Sequence, residues 1–201
     1  DLVSMRMLMI AWSHVGDNLA NPSRPNLGDF KGALEAYAKV HQIASSLAAR
    51  DPNDRRLQLD LSYALERIGA AEFGDGRLDY AIQHLNEARR IQENVIHADP
   101  KNATAIRNLA FVLERIGLVE EARGNHVRAL SALRQAVETN EELLARDPAN
   151  QDARQQLLTV SRTYALMQAK DGNTQAALKV ASQLPDLSDE LARKGSSDWT
   201  R

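Results

Sequence analysis

No cysteine occurs in the 201 residues, which excludes structural disulfides, thiolate chemistry and cysteine-ligated zinc. Its absence fits the cytoplasm and an oxidising compartment alike. An excess of one charge sign is also missing. Lys and Arg number 25 against 27 Asp and Glu, a formal net charge of −2, so there is no electrostatic footprint for nucleic acid or an anionic membrane surface. Long apolar runs are lacking too. The longest near the start, Met7 to Trp12, is far too short to span a bilayer. It does not read as a signal peptide either, because Asp1 opens it and no small-residue cleavage site follows. What remains, 43% hydrophobic and 26% charged, is ordinary for a soluble protein. The chain starts without Met and partway into a repeat, and so reads as a piece of something longer.

A period is the strongest positive signal. Leu65-Glu66-Arg67-Ile68-Gly69 returns unchanged 48 residues later as Leu113-Glu114-Arg115-Ile116-Gly117. Asp51-Pro52, Asp99-Pro100 and Asp147-Pro148 keep the same step of 48, and so do Gly28, Gly76, Gly124 and Gly172. Self-similarity at 20–50 residues marks an array of stacked supersecondary units.

Along the chain, residues 1–17 predict a helix with Met5, Leu8, Met9 and Trp12 on one apolar stripe. Two prolines, Pro22 and Pro25, make 18–27 an extended connection. Regular helices are expected at 29–50, 53–74, 77–98, 102–123, 125–146, 150–170 and 174–184. Each Asp-Pro is expected to close one helix and open the next, with Asp as N-cap and Pro in the first turn. Each period-marking Gly is expected to take the left-handed conformation that ends a helix. A short cap is expected at 186–195. No stretch shows the period-2 alternation of a strand.

Small residues sit at fixed steps in each unit. Gly69 precedes Gly76 by seven, and Ala81 and Ala88 follow Gly76 by five and twelve; the next unit has Gly117, Gly124, Ala129 and Ala136 in those places. This spacing resembles the tetratricopeptide repeat (TPR), which pairs two antiparallel helices through such small residues and closes with Pro. The TPR unit has 34 residues. Here seven residues are added between turn Gly and Pro, and seven more between Pro and first-helix Gly. Seven residues are about two turns, so both helices lengthen with their faces in phase. The resemblance implies an all-α, right-handed α-solenoid of about four elongated TPR-like helix pairs plus a short C-terminal capping helix. The whole chain is then one repeat domain with units of about 1–50, 51–98, 99–146 and 147–184.

The junctions Ala49-Arg50-Asp51-Pro52, the first-helix run Leu61-Ser62-Tyr63…Ile68-Gly69 and the insert Asn21-Pro22-Ser23-Arg24-Pro25-Asn26-Leu27-Gly28-Asp29 also resemble the C-terminal repeat regions of some bacterial serine/threonine protein kinases. The chain itself holds no His-Arg-Asp, no Asp-Phe-Gly and no phosphate-binding glycine loop.

Candidate chemistry is thin. No two of His14, His41, His84, His97 and His126 have the i, i+4 spacing of a zinc helix. Gly74-Asp75-Gly76 sits between helices, not after a strand, and reads as a turn. Glu66 and Glu114 are equivalent positions of successive repeats, not a catalytic pair. No catalytic residue, cofactor or metal ligand is assigned. The resemblance to TPR domains implies a concave binding face built from first helices. Its positions here are Leu59, Tyr63, Glu66, Phe73, Arg107, Phe111, Glu114, Leu118, Glu121 and Arg162, with Ile10, Ser13, Asp17, Ala70 and Thr159 as flanking candidates. The aromatics could equally pack between helices. The Lys/Asn/Arg clamp of chaperone-binding TPR domains is absent, and an acidic-aromatic groove suits a basic, apolar peptide. The implied function is a non-catalytic protein- or peptide-binding scaffold in a larger bacterial signalling protein. The second reading is homo-oligomerisation through the terminal repeats. Neither involves nucleic acid or membrane contact by this chain.

Overall fold

The computed structural model describes residues 1–21, 25–184, 186 and 188. Eight α-helices follow in order: α1 (Leu2–Ala20), α2 (Phe30–Arg50), α3 (Arg55–Gly74), α4 (Leu78–Ala98), α5 (Ala103–Ala122), α6 (His126–Arg146), α7 (Gln151–Lys170) and α8 (Thr174–Ala181). No strand occurs among the described residues. The fold is all-α, of the α-solenoid type, with the helices in pairs. The second helix of the last pair, α8, is the short one, ending three residues before its expected limit at 184. Most of the expected cap at 186–195 lies outside the described residues.

The Asp-Pro junctions work differently from the sequence expectation. Asp51, Asp99 and Asp147 do not cap the following helices. Each accepts a backbone hydrogen bond three residues on, Asp54 N to Asp51 O, Asn102 N to Asp99 O and Asn150 N to Asp147 O, at 3.2, 3.0 and 3.1 Å. These are β-turns with Pro at the second position, where its fixed φ suits the turn. The caps are the fourth residues. Asp54 Oδ1 accepts from Arg56 N and Leu57 N at 2.8 and 3.2 Å, Asn102 Oδ1 from Ala105 N at 3.0 Å, and Asn150 Oδ1 from Ala153 N at 3.0 Å. Asp1 plays the same part for α1. A Pro inside the turn needs the helix to start later than the dipeptide alone implies.

By its contacts the chain divides into two compact units, Asp1–Asn108 and Leu109–Arg201, with the division inside α5. In the first unit α1 packs on α2, α2 on α3, and α3 on α4. Met9, Ala20, Ala33, Tyr37, Val40, Ala44, Ala64, Ile68 and Ala71 form its main buried cluster. The α3–α4 contact is close because Gly69 has no side chain. A Cβ there would stand 2.7 Å from Leu85 Cγ and 3.2 Å from the Ala81 carbonyl oxygen. Gly74 is the last residue of α3, the limit expected from sequence, and the Phe30 ring occupies the space its Cβ would need.

The second unit repeats the device. Leu113, Ala129, Leu133, Ala136, Val160 and Met167 are its buried cluster, with α6 on α7 and α7 on α8. A Cβ at Gly117 would lie 2.7 Å from Leu133 Cγ. Gly76 and Gly124, both at φ of 78° with open space around them, end the first helices in the left-handed region that only glycine enters freely.

Candidate binding face

In the first unit, the exposed side of the first helices meets the end of α4. Arg6 of α1, with Arg55, Arg56, Leu59 and Asp60 of α3, faces Asp99, Asn102 and Thr104 across an open pocket of about 510 Å³. Arg6 Nη2 donates to Asp60 Oδ1 at 3.0 Å. Arg55 reaches Asp99 at 3.7 Å and donates to the Ala98 carbonyl at 3.3 Å. Burial raises the carboxyl of Asp60 above the ordinary range, an effect that Arg6 and Arg56 partly offset. The pocket thus carries three arginines against two aspartates, with Leu59 as its apolar wall.

Leu59 is the sequence-derived residue that lines this pocket. Tyr63 lies one turn further along, half-buried, with the Arg67 guanidinium 4.9 Å from its ring centroid, a cation–π distance. Phe73 and Arg107 are also half-buried. Glu66 is buried, its carboxylate 3.5 Å from Arg67 Nε, so it turns inward more than an open groove position does. Asp17 and Ser13 are buried as well. Asp17 accepts a hydrogen bond from the Tyr37 hydroxyl at 2.8 Å and stands 3.8 Å from Arg67 Nε. These groups form one interior polar network, Tyr37–Asp17–Arg67–Glu66, beneath Tyr63. Burial first, then the Asp17 bond, pushes the Tyr37 hydroxyl up. Burial works to lower Arg67, but Glu66, Tyr63 and Asp17 outweigh it and keep the guanidinium charged.

In the second unit, Phe111 and Arg162 are exposed, while Glu114 and Leu118 are half-buried. Glu121 is tied up. It accepts from His126 Nδ1 at 2.6 Å and from Lys170 Nζ at 3.0 Å, and both hold its carboxyl below the usual range. These three groups rim a smaller pocket of about 210 Å³ with Leu130, Met167 and Asp171. Among the described residues no cluster of three or more His, Asp or Glu could hold a metal ion, and no helix is long and apolar enough to cross a membrane.

Arg6, Arg55 and Arg56 are absent from the sequence-derived set. Arg6 could have been found: it stands ten residues before Gly16, as Leu59 does before Gly69 and Arg107 before Gly117.

Two histidines give the fold a pH dependence. His84 Nδ1 is 2.7 Å from buried Glu72 Oε2, and that hydrogen bond raises His84 above the ordinary range against the effect of burial. A raised folded value means the pair adds stability that is fully present below about pH 6.5 and is lost as pH rises through the raised value. His41 runs the other way: burial lowers it, so its contribution is present above its unfolded value and lost as pH falls through the folded one. Urea midpoints should therefore show His84→Asn costing more at about pH 5.5 than at about pH 8.5. An equal cost at both would contradict the assignment.

No protein-family model matches the chain, and no curated protein matches it. Solved structures do. The DHF58 filament is 17% identical with a TM-score of 0.52, covering 96% of this chain and 96% of its own. A crystal structure of MamA is 20% identical with a TM-score of 0.42, covering 83% of this chain and 93% of its own. The nearly identical TPR-like repeats of a candidate kinesin light chain from Podosopora anserina are 13% identical with a TM-score of 0.34, covering 94% and 97%. At such identities the likeness concerns the fold alone.

Proposed function

We propose that this chain is a non-catalytic, protein- and peptide-binding scaffold whose ligands lie on the outward side of the first helices. The observation that carries the reading is the open pocket beside Leu59 and Tyr63. An apolar wall and three arginines facing two aspartates, with the Tyr63 ring one turn further along α3, form a surface that can take both the apolar side chains and the carboxylates of a peptide. In the second unit, exposed Phe111 beside Glu114 and Leu118 supports the basic, apolar preference expected from sequence. Each unit's face is then a separate recognition surface with its own charge preference.

A displayed peptide library panned against the purified chain tests this. Selected peptides should fall into an acidic-apolar and a basic-apolar class. Tyr63→Ala should weaken the first class about tenfold, as loss of an aromatic anchor does. Arg56→Glu should weaken the acidic class alone, and Glu114→Lys the basic class alone. Binding unchanged in all three variants would sink the face.

We further propose that the scaffold is the interaction region of a larger bacterial signalling protein such as a serine/threonine kinase, a reading supported by the junction and insert residues quoted above. The coding sequence upstream tests it: a kinase domain there is expected, and an unrelated domain would overturn it. Self-association through the terminal repeats is the second reading.

A further inference from the structure

Asp60 carries a charge that the repeat does not require. Nine residues before Gly16, Gly69, Gly117 and Ala165 stand Met7, Asp60, Asn108 and Gln156. Stacking therefore works with a neutral side chain at this place. A carboxylate here is costly. Half-burial disfavours its charged form, and Asp60 Oδ2 is buried with no hydrogen-bond donor among the described residues. The other oxygen, Oδ1, accepts from Arg6 Nη2 at 3.0 Å. That pair is not a product of the period either. The corresponding residues in later repeats are Leu59 with Asn108, and Arg107 with Gln156, and neither couple holds opposite charges.

Elsewhere the pocket has donors to spare. Arg55 is engaged with Asp99 and with the Ala98 carbonyl. Asn102 uses Oδ1 to cap α5, accepting from Ala105 N, which leaves its Nδ2 hydrogens as the free end. Neither that amide nitrogen, nor the Thr104 hydroxyl, nor the exposed Arg56 guanidinium has a hydrogen-bond or ion-pair partner among the described residues. A pocket whose carboxylates are paired and whose donors are open selects an acidic group. Arg6 is the strongest donor still to be recruited, and Asp60 holds it.

Granting the peptide face proposed above, we propose that Asp60 is a built-in competitor for the peptide's acidic group, a proton-operated gate that releases Arg6 to the ligand. With Asp60 ionised, the incoming acid meets Arg56, Asn102 and Thr104 while Arg6 stays with Asp60. When Asp60 takes up a proton, its hold on Arg6 falls to that of a neutral acceptor. The guanidinium then turns to the ligand, which no longer has the Asp60 charge beside it. Burial holds the Asp60 carboxyl above the ordinary range, opposed by Arg6 of α1 and Arg56 of its own helix and helped by Asp54 at the cap. Arg55 and Asp99 line the same pocket. Affinity for an acidic peptide therefore rises as pH falls through that raised value. Titration of the peptide's own carboxylate acts in the opposite direction.

A sulfonate in place of the peptide's carboxylate separates the two, because it stays ionised throughout. A selected acidic-apolar peptide with cysteic acid at its acidic position is titrated against the 201-residue chain from about pH 7 to about pH 4.5. Circular dichroism confirms that the helices persist. Asp60→Asn, which installs the residue type of Asn108, should bind about tenfold tighter at about pH 7. Wild-type affinity should climb as pH falls until the two curves converge. Any contribution from His97, two residues before Asp99, is common to both proteins and cancels. In an Arg6→Gln background, Asp60→Asn should change affinity less than about twofold. Equal gains with and without Arg6 would mean that Asp60 merely repels the ligand, and would overturn the gate. A wild-type affinity indifferent to pH would overturn it too. Absence of binding by every variant at every pH would remove the peptide face itself, and the gate with it.

Discussion

Asp17→Ala should lower the unfolding free energy by about 3 kcal/mol, because it strips one member from a buried charged network. Asp17 is 4% exposed and accepts from the Tyr37 hydroxyl at 2.8 Å. Arg67 stands 3.8 Å from it and 3.5 Å from Glu66. Removing the carboxylate leaves the phenol without this acceptor in a buried site, at a cost of about 1–3 kcal/mol. It also leaves the Arg67 charge balanced by Glu66 with less help. Tyr37→Phe removes one hydroxyl and no charge, and should cost only about 1 kcal/mol. Urea unfolding of the two variants checks the ordering. A loss below about 0.5 kcal/mol for Asp17→Ala would mean the network is incidental to the fold.

The second large effect belongs to the close helix contacts. Gly117→Val should destabilise by about 3 kcal/mol, the upper range of overpacking. Its first added carbon already lies 2.7 Å from Leu133 Cγ and 3.3 Å from the backbone oxygen of Ala129. Backbone cannot step aside as a flexible side-chain tip can. Trimming the other partner gives the decisive comparison. Leu133→Ala alone should cost about 2–5 kcal/mol through the cavity it opens. Combined with Gly117→Val it should cost clearly less than the two separately, because the valine fills part of that space. Additive losses in a double-mutant cycle would show that the two side chains do not share the space.

Those two sites differ in how far they could be read from the chain alone. Gly117 was legible: a glycine repeated at one phase of a long helix, with alanines at fixed steps in the next, has few meanings besides close approach. The helix order and most limits follow from the same periodicity. The helix starts did not follow, because Asp51-Pro52 fits both a helix N-terminus and a β-turn, and only the backbone path shows that Asp54 is the cap. The binding face was legible as positions and less so as contents. Repeat phase names Leu59, Tyr63 and Glu66 as outward-looking, but Arg67 folds over Tyr63 and draws Glu66 inward. Repeat phase puts Asp17 on the groove, while the hydroxyl of Tyr37, which stands where the next two repeats have Leu85 and Leu133, holds it inside. Such departures depend on one residue of one repeat, and a period averages them away.

On the proposed function, the outward side of the first helices binds protein ligands. Backbone hydrogen exchange with and without a selected acidic-apolar peptide tests it most directly. Added protection is expected in the first half of α3, around Leu59 and Tyr63, and at the Asp99–Asn102 turn, with α2 unchanged. Protection confined to α2 and α4, with α3 unaffected, would contradict it.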